Sequence, residues 1–151
     1  MSFPAEFVFE VRAQVDAPLL IGESARGLRR VIPILGGSVV GPRLNGIVVP
    51  GGADWQYVRP DGVLSLEARY TLQAEDGTLI MVTNRGMRHG PPDIIEKIGR
   101  GEDVPADAYY FRSAAEFEAP IGKHDWLNKA LFIGIAERKA GAAIVRFHQV
   151  N

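Results

Sequence analysis

The sequence has no cysteine. Disulfides, thiolate metal ligands and cysteine nucleophiles are excluded with it. It also lacks an excess of either charge: 17 Lys and Arg stand against 18 Asp and Glu, for a formal net charge of −1. Nucleic-acid surfaces are usually basic, with Lys and Arg clustered. The nearest approach here is Arg26, Arg29 and Arg30, which reads as a solvated strand end. Long apolar runs are missing too. The clearest one, Ala130 to Ala136, falls far short of the roughly 18 residues that a helical membrane span needs. Met1-Ser2-Phe3-Pro4 runs at once into Glu6 and Glu10, so no signal-peptide core is expected. A soluble, cytoplasmic protein follows as the expectation, with neither nucleic acid nor membrane among its partners.

Several chemical signatures are absent as well. The histidines are His89, His124 and His148, and none lies at H-x-H or H-x-x-x-H spacing, so no metal site is expected. There is no G-x-x-x-x-G-K-[ST] phosphate loop and no G-x-S-x-G nucleophile elbow. Gly36-Gly37 and Gly51-Gly52 lack the strand-to-helix setting of a dinucleotide fingerprint. No cofactor is expected.

What remains is a chain of 151 residues, 46% hydrophobic, which suits one domain over residues 1–151 with a sizeable core. Its 17 Gly and 10 Pro are spread along the chain and punctuate short runs, as in a many-stranded β protein. Phe7, Phe9, Val11, Ala13 and Val15 alternate with polar residues, the pattern of a half-buried strand. Pro60-Asp61-Gly62 and Glu75-Asp76-Gly77 are turn signals that bracket a long strand from Val63 to Gln73. Leu131 to Arg138 and Ala143 to Val150 form a hairpin about Ala140-Gly141. The first of these two strands is apolar on both faces, so its outer face needs the helix, a loop or a partner subunit, and a homo-oligomer is expected. One short helix begins near Pro91-Pro92, carries the stripe Ile94, Ile95 and Ile98, and stops at Gly99 or Gly101. Roughly eight to eleven strands with one helix predict an all-β fold, a closed antiparallel barrel.

Four segments could carry chemistry. Pro50-Gly51-Gly52-Ala53-Asp54-Trp55 reads as a turn that delivers an acid beside an indole to a strand start. Desolvation there would raise the acid's pKa and suit proton transfer; a turn cap with a barrel plug is the structural alternative. In Tyr109-Tyr110-Phe111-Arg112, Tyr110 and Arg112 share one face, and a phenol beside a guanidinium can hold a carboxylate or enolate oxygen. Only one of Arg69 and Tyr70 can face the lumen: Arg69 with Glu67 if the lumen is polar, Tyr70 if it is dry. In Trp126-Leu127-Asn128 the amide could orient a ligand carbonyl or cap a loop.

Taken in order, Gly41-Pro42, Gly46, Pro50 through Trp55, Asp61-Gly62, Arg69-Tyr70, Asp76-Gly77, Tyr110-Phe111-Arg112 and Trp126-Leu127-Asn128 resemble uncharacterised protein family 0311, the domain of unknown function 3237. The resemblance spans nearly the whole chain. It implies a calycin- or lipocalin-like barrel, often oligomeric, and small organic substrates; it implies no settled activity. The leading expectation is a cofactor-independent isomerase, hydratase or cyclase acting on a small oxygenated or aromatic compound. Asp54 would be the acid or base, and Arg69, Tyr110 and Arg112 would stabilise an oxyanion. Trp55, Tyr70, Trp126 and Asn128 would form the ligand-binding wall. The alternatives are a carrier or sensor of a small apolar ligand, and a structural or assembly protein with a filled barrel.

Overall fold

The computed structural model describes residues 3–151. Met1 and Ser2, the start of the stretch read above for a leader, lie outside them. Nine strands run in chain order: β1 (Ala5–Val15), β2 (Leu19–Ser24), β3 (Gly27–Val40), β4 (Gly46–Val58), β5 (Leu64–Ala74), β6 (Leu79–His89), β7 (Tyr110–Glu118), β8 (Leu131–Lys139) and β9 (Ala142–Val150). One helix, α1 (Pro92–Gly99), joins β6 to β7. No helix among the described residues is long and apolar enough to cross a membrane.

Each strand pairs antiparallel with its neighbour in the order β1-β9-β8-β7-β6-β5-β4-β3-β2. The second half of β3, Ile34 to Val40, also pairs with β1 from Glu10 to Val15. That seam closes eight strands into the expected barrel. The β2 strand stays outside the closed wall, paired only with the first half of β3.

Alternation then sorts the side chains. On β5 the even positions Leu64, Leu66, Ala68, Tyr70, Leu72 and Ala74 are all buried, so Tyr70 rather than Arg69 points inward. The β1 pattern holds from Phe9 onward. A bulge between Phe7 and Phe9 reverses the facing, and Phe7 packs on the outside against His148 and beneath Arg146.

Pro50-Gly51-Gly52 is a bulge inside β4 rather than the turn its composition suggests. Val49 pairs with Thr71 and Ala53 with Arg69, so β4 advances four positions while β5 advances two. The excess is even, so Val48 and Asp54 keep the same inward facing.

One end of the barrel is dry. Phe9, Phe117, Phe132 and Phe147 meet there with ring centroids 5.0–5.5 Å apart, surrounded by Leu72, Ile80, Val39, Val48 and Leu127, all but fully buried. Tilted and edge-on pairs of this kind add to plain area burial. The outer face of β8 is less well covered: Leu131 and Ile135 remain exposed, although Phe132, Gly134 and Ala136 are buried inside.

The seam depends on Gly37. Its φ is +148°, and an added Cβ would strike the backbone of Arg12 on β1. Gly37→Ala should therefore cost about 2–4 kcal/mol of stability, from backbone strain plus overpacking. A lowered urea midpoint with an unchanged slope would show it; a wild-type midpoint would show that the seam is not tightly constrained.

Candidate functional site

At the other end of the barrel the inward positions turn polar. Strand pairing places them in rows across the wall. Ile32, Asp54, Ala68 and Asn84 lie opposite one another on β3, β4, β5 and β6. One row further on, Arg30 faces Gln56. Beyond that, Leu64, Arg88 and Phe111 stand opposite one another on β5, β6 and β7. Arg138 enters from the end of β8, opposite Ala143. Together Asp54, Gln56, Arg30, Arg88 and Arg138 line a partly enclosed cavity of about 130 Å³, with Val15, Ile32, Ile98 and Phe111 as its apolar walls. An apolar cavity of about 150 Å³ is enough to admit benzene. The C-terminal end of α1 lies against this space through Ile98 and Gly99.

Hydrogen bonding inside the cavity has one direction. Arg30 Nε donates to Gln56 Oε1 at 2.7 Å, and Gln56 Nε2 donates to Asp54 Oδ2 at 2.7 Å. A guanidinium can only donate, so the amide must turn its oxygen to Arg30 and its NH₂ to Asp54. Oδ2 is thereby committed as an acceptor. Oδ1 is buried with no partner among the described residues. Burial pushes the Asp54 carboxyl up from its ordinary value, opposed by the Gln56 hydrogen bond, the charge of Arg88, the nearby backbone N–H of Glu67 and the charge of Arg30. With Oδ2 accepting from Gln56, Oδ1 is the oxygen available to carry a proton.

No ion pair within 4.0 Å joins Asp54 to a guanidinium among the described residues. Arg138 is fixed by its own hairpin: Nη1 donates to the Ala142 carbonyl at 2.7 Å, and its backbone N–H donates to the Tyr109 hydroxyl at 2.7 Å. Arg88 is buried beside the Phe111 ring, with Nε unpartnered. Burial is the main cause that lowers its pKa, to about 10, with the Arg30 and Arg138 charges adding to it; it keeps its charge at neutral pH.

Of the residues singled out from sequence, Asp54 and Tyr70 are in the lumen. Tyr70 is buried, and burial with the nearby Asp54 charge raises its pKa. The others do not meet Asp54. Arg69 lies outside, paired with Glu67 at 3.7 Å. Tyr110 and Arg112 do share a face, but it is the outer one: Tyr110 is exposed and stacks on His89, and Arg112 donates to the Phe111 carbonyl. Trp55 is partly exposed over an outer groove that it shares with Arg29, Tyr57, Glu67 and Arg85. In that groove Arg85 pairs with Glu67 at 2.6 Å and Arg29 lies over the Tyr57 ring. Trp126 and Asn128 sit at the dry end. Trp126 packs on Phe132 beneath Arg43, and Asn128 brackets Ala119 through its backbone N–H and C=O.

Sequence reasoning missed Arg30, Gln56, Arg88 and Arg138. The signal was parity: Gln56 is two positions from Asp54, Arg88 is an even step from the buried Val82, and Arg138 an even step from the buried Phe132. Counting in even steps from an apolar lumen residue along each strand finds all four, Arg30 included, which lies two positions before the buried Ile32.

The architecture defines a closed eight-stranded antiparallel β-barrel with a dry end and a polar cavity. The chain belongs to the family described as protein of unknown function (DUF3237), whose model matches residues 4–150. A UPF0311 protein of Rhodopseudomonas palustris is 40% identical over 145 residues, 96% of this chain and 95% of that protein. The crystal structure of a conserved protein from the same species matches with a TM-score of 0.96 at 38% identity, covering 100% of this chain and 99% of that one. A β-barrel-like protein of Acinetobacter baumannii matches with a TM-score of 0.85 at 33% identity, covering 100% and 98%. A hydroalkoxylation enzyme of Penicillium herquei is 24% identical over 123 residues, 82% of this chain and 67% of that enzyme. The structure of an enzyme from that fungus shares the fold, with a TM-score of 0.74 at 20% identity, covering 100% and 96%.

The raised Asp54 pKa has a stability consequence of fixed sign. An unfolded Asp loses its proton near pH 4, while the folded chain still holds it at higher pH. The native state then binds more protons than the unfolded one, so this residue lowers stability as pH rises from about 4 through the folded pKa. Asp54→Asn should be more stable than wild type at pH 7 and converge with it near pH 4. Asp76 runs the other way. Thr78 and His124 hold its carboxyl down to about 2, so its contribution is present above pH 4 and lost between about 4 and 2. Urea midpoints measured across this range check both; an Asp54→Asn variant destabilised equally at every pH would contradict the first.

Proposed function

We propose that the protein is an enzyme that transfers protons on a small oxygenated molecule held in the polar end of the barrel, with Asp54 as acid and base. One observation carries this: Asp54 Oδ1 is buried, without a protein partner, on a carboxyl that lines a sheltered cavity and whose ionisation burial disfavours. A carboxyl that burial makes slower to give up its proton, beside a substrate-sized space, is suited to general acid catalysis.

The hydrogen-bond chain supports one order of events. In an addition to a C=C bond conjugated with a carbonyl, a hydroxyl oxygen bonds to the β-carbon and the π pair moves onto the carbonyl oxygen as an enolate. The enolate pair then takes the Oδ1–H proton at the α-carbon, forming the new C–H bond, and the hydroxyl proton returns to the carboxylate, which restores the acid. While Asp54 carries charge, the Gln56 NH₂ stabilises it at Oδ2, backed by Arg30 on the far side of the amide. Negative charge growing on a substrate oxygen is stabilised by Arg88 and Arg138, preorganised donors in a water-poor site. Isomerisation, hydration and ring closure share this proton movement. The name of the Penicillium herquei relative, a hydroalkoxylation enzyme, supports the addition of O–H across C=C among them.

Proton transfer can be tested without the natural substrate. In D₂O, a panel of small conjugated enones and hydroxy ketones should show enzyme-dependent deuterium incorporation by NMR. Asp54→Asn should slow it by about 10² or more, and Arg69→Gln should leave it unchanged. Full activity in a folded Asp54→Asn variant would remove Asp54 from the chemistry. Saturable binding with no exchange on any compound would favour the carrier alternative.

A further inference from the structure

We infer that the molecule taken by this cavity is an anion, a compact carboxylate whose oxygens are held by Arg88 and Arg138. This rests on the acid–base site above and names its substrate class.

The charge count leads to it. Three guanidiniums, Arg30, Arg88 and Arg138, line the cavity, and Asp54 is the one carboxyl among the lining residues. With Asp54 protonated the lining carries three positive charges and no negative one. With Asp54 ionised an excess of two remains. None of the three guanidiniums has an acidic partner within 4.0 Å among the described residues. Like charges gathered out of water without a counter-charge are strongly unfavourable, and a bound anion relieves that cost.

The three arginines are not equally free. Arg30 is engaged by the Gln56 carbonyl oxygen. Arg138 spends Nη1 on the Ala142 and Lys139 carbonyls, which aims the rest of its fork and leaves it unfilled. Arg88 is only 7% exposed, its side chain makes no hydrogen bond to any described residue, Nε is buried without a partner, and the Phe111 ring is its neighbour at 5.4 Å. A buried guanidinium with an empty donor fork, on the wall of a cavity, is arranged for a planar acceptor pair, and a carboxylate supplies one.

Two features argue against a phosphate. The space is about 130 Å³ and is walled in part by Val15, Ile32, Ile98 and Phe111, which suits a short hydrocarbon or single-ring body. The helix that reaches the cavity presents its C-terminal end, Ile98 and Gly99, whose partial negative charge opposes a phosphate dianion more strongly than a singly charged carboxylate. Phosphate sites favour the opposite helix end.

The test uses the intact protein with benzoate and crotonate as probes, and benzamide and inorganic phosphate as controls, by calorimetry and NMR titration at low salt and pH 7. Benzoate or crotonate should bind saturably and at least ten-fold more tightly than benzamide or phosphate. Arg88→Gln should weaken carboxylate binding at least ten-fold, Arg88→Met should do the same, and Arg112→Gln on the outer face should change nothing. Asp54→Asn should bind the carboxylates at least as tightly as wild type. Two results would overturn the inference: both carboxylates binding no better than benzamide, or phosphate binding as well as they do. Wild-type affinity in a folded Arg88 variant would overturn it too. Failure here with Asp54-dependent deuterium exchange intact sinks only the anionic substrate; carboxylate binding with exchange indifferent to Asp54 sinks the acid–base role instead.

Discussion

The seam between β1 and β3 turns an open ribbon of strands into a wall, and closure decides what every other side chain can do. In an open sheet an inward Arg88 or Asp54 could reach water around an edge. In a closed barrel each strand sends alternate residues into one shared interior, so a charge placed there must find a partner, lose its proton or wait for a ligand. The seam is made by close backbone contact at Gly37, not by large side chains. The chemistry of the cavity therefore depends on a stretch of backbone that touches none of the reacting groups.

Closure also lets the two halves of the barrel do different work. The cluster of Phe9, Phe117, Phe132 and Phe147 is the kind of packing in which each ring is worth about 3–5 kcal/mol against truncation to Ala. That surplus offsets an unpaired Arg88, an Asp54 with a bare oxygen, and the unpartnered Asn84 Oδ1 and Ser113 Oγ. Small inward residues mark the middle of the barrel. Ala68, Ala115 and Ala136 are buried there, and Gly86 and Gly134 leave room beside Ser113, where any Cβ would collide. The middle is thus closely packed, and the cavity lies beyond it among Arg30, Asp54, Gln56, Arg88 and Arg138.

Much of the fold was legible because it rests on local rules. The turns at Asp61-Gly62 and Asp76-Gly77, the C-terminal hairpin and the helix all carry their signals in adjacent residues. The site was less legible because it depends on which of two faces looks inward. On β7 the pairing of Tyr110 with Arg112 was right as a shared face and misplaced as a lumen, since Phe111 and Ser113 point in. On β5 the polarity of the lumen was posed as one question, polar or dry, when the barrel is both: Tyr70 faces inward toward the reach of Asp54's charge. The segment from Pro50 to Asp54, a bulge where its composition suggests a turn, still sends Asp54 inward because its extra residues come in an even number, which conserves facing through the irregularity. An odd insertion, as at Val8 on β1, sent Phe7 to the surface. Register parity is set by pairing with distant strands, and no local window contains it.

The deeper selectivity of the site lies in Gln56 rather than in the charges around it. Were a guanidinium in direct contact with the Asp54 carboxyl, ion pairing would hold it ionised, as Arg59 holds Asp61 down to about 2 on the surface. The amide stands between Arg30 and Asp54. It passes on orientation while keeping the full charge one side chain further away, and burial then prevails over attraction. Arg88 and Arg138 likewise make no ion pair with Asp54 within 4.0 Å among the described residues. An acid whose ionisation burial disfavours and unpaired cations can thus face one cavity without cancelling each other, the combination that proton donation to an anionic substrate requires.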